Sequence, residues 1–266
     1  MTDSTLNLTE NEDAAQKLYG GLWELFTDEE YERFAKWMWF DYYKLSEPVG
    51  RFMKDAAVLD AGCGGGALVY TSLLEGASRV VGVDLSEQAL GHTRRLVERF
   101  APDRAERMEL RHASVLELPY EDATFDVVYS AGVLHHTEDP EGGFRELIRI
   151  LKPGGIVWIG LYGAGGLLSG FLIPGARAFR KIIPETTTRK VLDLLRFPPL
   201  RRYEVLDAMY TPYRYQYREP EVHAWLQRAG LVEPLRTDPA LHPLVKRTPW
   251  INGEGWIGMR AKKPDV

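Results

Sequence analysis

The chain has 266 residues, a net charge of −5, 45% hydrophobic and 27% charged residues. These are ordinary values for a globular protein large enough to bury a core, and they exclude a disordered or fibrous chain. The acidic balance argues against a protein that holds nucleic acid by neutralising phosphates, so DNA is not an expected partner and RNA is disfavoured.

The first residues, MTDSTLNLTENEDAAQ, lack the basic start and apolar run of a secretory signal. No apolar run reaches the roughly 20 residues that span a bilayer. Cys63 is the single cysteine, which rules out an intrachain disulfide and leaves too little thiolate for a zinc site. The expected location is the cytoplasm. From about Glu12 to Met53 the pattern predicts helices, with charges interspersed as in EEYERFAKWMWFDYYK and no proline before Pro48. Residues 1–55 thus read as a helical cap segment and 56–266 as the main domain.

From Ala56 short apolar runs alternate with helical stretches: AAVLDAG, RVVGVDL, MELRHASV, FDVVYSAG and GIVWIGLYG as strands, with LVYTSLLEG, SEQALGHTRRLVERFA and GFRELIRIL as helices between them. This alternation predicts βαβ units and a parallel sheet. After Gly163 it stops, and an insertion at about 164–219 precedes the helix PEVHAWLQRAG. LVEPLRTD and WINGEGWIGMRAKK close the chain as an expected antiparallel hairpin at one edge.

The glycines of VLDAGCGGG, Val58 to Gly66, fit two cofactors. Read as Gly62, Gly64 and Ala67 they match the dinucleotide fingerprint G-x-G-x-x-A, with Asp84 about twenty residues on for a ribose. Asp60, however, would be a repulsive neighbour for a pyrophosphate in a poorly solvated turn. An amino-acid ligand resolves this: its carboxylate rests on loop amides and its ammonium on Asp60. S-adenosylmethionine joins such an amino-acid end to an adenosine, so one ligand explains both carboxylates. The plain alternatives are that Asp60 caps the turn and Asp84 caps the helix SEQAL.

VLDAGCGGG, VVGVDLSEQAL, YSAGVLHHTEDP and LKPGG in this order resemble the class I S-adenosylmethionine-dependent methyltransferases that act on small molecules. The resemblance covers Val58 to about Ile159. It implies a Rossmann-like α/β fold, a seven-stranded mixed sheet of order 3-2-1-4-5-7-6 with the last strand antiparallel, here with N-terminal helices and an inserted lid. It further implies that Asp60, Gly62 and Gly64 meet the methionine end, Asp84 the ribose, Leu85 the adenosine, and that Ser130 lies under the sulfonium region. Where the family often has G-D-A, its Asp accepting from the adenine amino group, this chain has Ala113, Ser114 and Val115. A neutral hydroxyl is the weaker acceptor. Cys63 reads as a small residue filling the turn.

Transfer to a hydroxyl or a protonated amine needs a base. His135 and His136 follow the fourth strand, at the sheet edge where ligands bind in such folds, and at most one of two adjacent side chains faces a substrate. The N-terminal aromatics read mainly as core; Trp37, Tyr42 and Tyr43 are the candidates for an acceptor wall, with Tyr213 and Tyr215 from YTPYRYQYREP. Between Arg177 and Arg202 eight cations face Glu185 and Asp193 amid LLSGFLIPG and VLDLLRFPPL. That insertion reads either as a solvated basic face on a packed lid, or as a contact for an anionic or amphiphilic substrate or a membrane surface. The leading expectation is methyl transfer to O, N or C of a small molecule. An RNA methyltransferase is a second reading, disfavoured because Ser130-Ala131-Gly132-Val133 replaces the Asn/Asp-Pro-Pro-aromatic run of amino-methylating enzymes. A non-catalytic S-adenosylmethionine-binding partner protein is a third.

Overall fold

A computed structural model describes residues 9–42, 49–237 and 253–265. Strands β1 (Ala57–Ala61), β2 (Arg79–Asp84), β3 (Met108–His112), β4 (Phe125–Ala131), β5 (Leu151–Tyr162), β6 (Val232–Arg236) and β7 (Trp256–Lys262) form one sheet of order β3-β2-β1-β4-β5-β7-β6. The first five pair in parallel, and β7 runs antiparallel between β5 and β6. The expected strand order and closing hairpin are therefore those observed. β5 begins earlier than its apolar run: Leu151 already pairs with Phe125, and the turn residues before Gly155 form an irregular step in the register.

β1 is buried on both faces, as a central parallel strand must be. Val58, with Val80, Val127, Tyr129 and Trp158, faces a core closed by helices α2 (Asp28–Lys36), α3 (Ala67–Leu74) and α4 (Glu87–Phe100). Leu59 and Ala61, with Val81, Val128 and Ile159, face Phe144 and Leu147 of α5 (Pro140–Ile150) and Trp225 of α9 (Glu219–Arg228). Between these helical layers the sheet order reverses at β1 and β4, which opens a crevice at their C-terminal ends.

Two further layers cover that crevice. Helix α1 (Glu10–Gly20) and α2 both start at Thr-x-x-Glu capping boxes, Thr9 with Glu12 and Thr27 with Glu30, each cap worth about 1 kcal/mol. A π-helical turn, Trp37–Tyr42, follows α2. The insertion carries α6 (Ile173–Ala178), α7 (Glu185–Leu194) and α8 (Pro199–Tyr210). Leu18 and Leu22 meet Leu192 and Leu206 in a small third core that joins the N-terminal helices to the insertion.

Truncating the centre of β1 removes buried apolar volume with little room for collapse. Leu59→Ala should lower the free energy of unfolding by about 2–5 kcal/mol, read as a shift of the urea midpoint at unchanged slope.

Candidate functional site

One cavity of about 860 Å³ fills the crevice, within the range of about 300–1,000 Å³ usual for small-molecule sites. The β1–α3 loop forms its floor. Gly62 and Gly64 have φ of +82° and +52°, conformations that side chains resist. A Cβ at Gly62 would collide with Val133 and one at Gly64 with the Trp23 ring, so both positions need bare backbone. The amides of Gly62 and Cys63 donate to Val83 O at 2.8 and 2.9 Å, holding the loop against β2. Cys63 is buried within this turn.

Two carboxyl groups flank the loop. Asp84 accepts from Gly64 N and Ser86 N, each at 2.8 Å, so it ties the glycine loop to the start of α4. The α4 cap itself is Ser86, whose hydroxyl accepts from Ala89 N. Burial raises the Asp84 carboxyl above the usual range, opposed by those two amides. Asp60 is 2% exposed yet lies in the cavity wall. Burial first, then the neighbouring Asp84 charge, pushes it up to about 8.

At the third strand Ser114 donates to Glu12 Oε1 at 3.1 Å and accepts from Leu116 N. Glu12, a capping residue of α1, thereby brings a carboxylate into the cavity at the position where the resemblance led one to expect an aspartate. Leu85 and Val115 line the same half.

Much of the remaining wall is aromatic, with Tyr19, Phe34, Trp37, Tyr162, Tyr203, Tyr213 and Trp256 in it and His136 among them. Behind this wall sits Asp207 of α8, 2% exposed. Tyr19 donates to its Oδ1 at 2.6 Å, Tyr162 donates to Oδ2, and His136 Nε2 lies 3.5 Å from Oδ1. His136 Nδ1 is 2.8 Å from Tyr213 O, an acceptor, so that nitrogen carries a proton. Burial pushes His136 below its usual range while the Asp207 charge opposes the shift. Both phenols are raised far above the usual range, by burial first and then by Asp207.

Asp60, Gly62, Gly64, Asp84, Leu85, Ser114, Val115, His136, Trp37 and Tyr213 thus share one cavity. Three expected residues stand apart. Ser130 is fully buried and donates to Ala61 O at 3.1 Å, bridging β4 to β1 away from the cavity. His135 is fully buried outside the wall, its ring 4.1 Å from that of Tyr162, and burial drives it strongly towards the neutral form. Tyr215 stacks on the outer side of Tyr213 at 6.1 Å and is 41% exposed. The Tyr42 side chain and Tyr43 lie outside the described residues. Glu12, Tyr19, Tyr162 and Asp207 carry no motif of their own. The only sequence signal among them is the Thr-x-x-Glu box that fixes Glu12.

Residues 59–159 match the family described as Methyltransferase domain. The chain is 32% identical over 165 residues to a ubiquinone biosynthesis O-methyltransferase of Aromatoleum aromaticum, covering 58% of this chain and 68% of that protein. It is 30% identical over 204 residues to a tRNA U34 carboxymethyltransferase of Pseudoalteromonas translucida, covering 75% of this chain and 59% of the relative's length. A solved structure of the 1,6-didemethyltoxoflavin-N1-methyltransferase of Burkholderia thailandensis shares the fold, with a TM-score of 0.53 at 19% identity over 98% of this chain and 93% of that one. The chain belongs to the class I S-adenosylmethionine-dependent methyltransferases. Its cofactor is S-adenosylmethionine, and the bare glycine loop flanked by a buried carboxyl group suits that molecule's amino-acid end.

The loop geometry leaves no room for a methyl group at Gly62. Gly62→Ala should weaken S-adenosylhomocysteine binding by at least about tenfold, read by calorimetry, with the far-ultraviolet dichroism of the parent.

Proposed function

We propose that the enzyme methylates a hydroxyl group on a small, largely apolar aromatic molecule. The observation that carries this reading is the aromatic lining that Tyr19, Phe34, Trp37, Tyr162 and Trp256 give the cavity, together with the His136–Asp207 pair. Flat aromatic walls recognise flat apolar ligands, and a neutral imidazole accepts a proton. Bound S-adenosylmethionine supplies an electrophilic methyl group. The chain's task is to align the acceptor oxygen, exclude water and take its proton.

In this reading Asp60 accepts from the ligand ammonium and Asp84 from its ribose, while the loop beginning at Gly62 leaves room for its carboxylate. Glu12, oriented by Ser114, accepts from the adenine amino group. His136 Nε2, the nitrogen left without a proton, takes the acceptor proton; the Nδ1–H bond to Tyr213 O positions the ring, and Asp207 stabilises the imidazolium that forms.

The cavity charges support a small molecule over RNA. Glu12, Asp60, Asp84, Glu138 and Glu204 line it against Arg201, a poor surface for phosphates. Four other arginines of the insertion are engaged within the protein: Arg177 and Arg180 donate to carbonyls at the C-terminal end of α8, and Arg189 and Arg202 pair with Glu185 and Asp193. The similarity to an O-methyltransferase agrees with transfer to oxygen. Incubation with methyl-labelled cofactor and a panel of phenols, catechols, amines and total tRNA decides the matter. Label in a phenol or catechol is the expected result, and label in tRNA alone would overturn it.

The raised Asp60 carboxyl gives binding a pH signature. Free Asp60 is largely protonated at pH 7 and must ionise to meet an ammonium, so S-adenosylhomocysteine binding should release up to one proton there. Affinity should climb from about pH 6 towards pH 8. Calorimetry in buffers of different ionisation heat measures the release, and Asp60→Asn should abolish it and weaken binding.

Asp207 holds the His136 proton more tightly than burial alone would. Asp207→Asn should therefore move the His136 titration to lower pH, as imidazole NMR would report without any acceptor. His136→Gln should lower kcat for the identified acceptor by about a hundredfold or more while leaving S-adenosylhomocysteine affinity nearly unchanged.

A further inference from the structure

The outer face of the insertion is strongly apolar. Leu194, Ile182 and Phe171 are 82%, 76% and 74% exposed, and Leu172, Phe179 and Leu195 are each more than half exposed. They fall in stripes: Leu172, Phe179 and Ile183 recur at spacings of seven and four along α6 and its flanking turns, and Val191, Leu194 and Leu195 at three and four along α7. Single exposed leucines need no explanation, but this many large exposed apolar side chains within one short segment mark an interaction surface. Among the described residues no helix is long and apolar enough to cross a membrane.

Charge selects the partner. Residues 166–200 hold six cations and two carboxylates, a local net charge of +4 in a chain of net −5. Lys190 and Arg196 are exposed beside the apolar stripes. Apolar side chains flanked by exposed cations are what an interfacial segment presents to acidic headgroups. A two-fold contact between copies would instead set this positive face against itself. Phosphates of an RNA would engage the cations and leave the apolar side chains in water.

We propose that the outer face of residues 167–197 docks on an anionic phospholipid bilayer. The chain leads directly from this face into the cavity: Phe197 is exposed, Pro198, Pro199 and Leu200 line a smaller apolar pocket of about 330 Å³ with Phe26, Phe34 and Trp37, and Leu200 and Arg201 belong to the main wall. An amphiphilic acceptor held in the bilayer would meet that entrance on docking. This consequence, unlike docking itself, rests on the acceptor reading above.

Co-sedimentation of the full chain with vesicles tests docking without any methyl transfer, so either reading can fail while the other stands. Vesicles containing about a third phosphatidylglycerol should pellet the protein, pure phosphatidylcholine should not, and salt should weaken the binding. The double variant Ile182→Ser, Leu194→Ser and the single variant Lys190→Glu should each lower the pelleted fraction at least about fivefold, with S-adenosylhomocysteine affinity unchanged. Absence of pelleting with anionic vesicles, or equal pelleting by the variants, would overturn the proposal. So would a dimer in sedimentation analysis that the same substitutions dissolve, or retention on tRNA that vesicles do not displace.

Discussion

The side of the cavity formed by Tyr19, Tyr162 and His136 depends on one buried carboxylate. Asp207 belongs to the insertion, yet Tyr19 comes from the N-terminal helix, Tyr162 from the end of β5 and His136 from the turn after β4. A buried carboxylate without partners would be costly, and removing partners from such a group is among the more destabilising changes a core can suffer. Three segments remote in sequence are thereby compelled to converge. The wall they form is a consequence of satisfying that charge, and the small core of Leu18, Leu22, Leu192 and Leu206 seals the same junction.

At the opposite end the logic is reversed. Asp84 is satisfied within the protein by Gly64 N and Ser86 N, whereas Asp60 stays buried with its carboxyl raised to about 8. Two neighbouring carboxyl groups in a dry crevice disfavour double ionisation. A cationic ligand relieves that penalty and an anionic one aggravates it. The same electrostatics that argue for an amino-acid end in the ligand argue against a pyrophosphate.

The sheet and its strand order were legible because parallel strands buried on both faces write themselves as apolar runs, and because Asp60, Gly62, Gly64 and Asp84 lie within one short stretch. What escaped reading is non-local. Ser130 carries no mark of which way it turns; pleating directs its hydroxyl onto Ala61 O. His135 and His136 look alike in sequence, and only the turn separates the sealed ring from the one in the wall. Glu12 and Asp207 lie 102 and 71 residues from Ser114 and His136, so no local pattern joins them.

The substitution at Ser114 shows how such distance matters. An aspartate there would supply its own acceptor from the sheet edge. A serine supplies only a hydroxyl, but that hydroxyl holds Glu12, and Glu12 arrives with the helix that also carries Tyr19. The two ends of the cavity are consequently linked through one rigid element: a displacement of α1 that withdrew Glu12 from one half would withdraw Tyr19 from the other. On the proposed reading the carboxylate nearest the adenine and the phenol nearest the acceptor are assembled together or not at all. A water-excluding site could thus form only with the N-terminal helix in place.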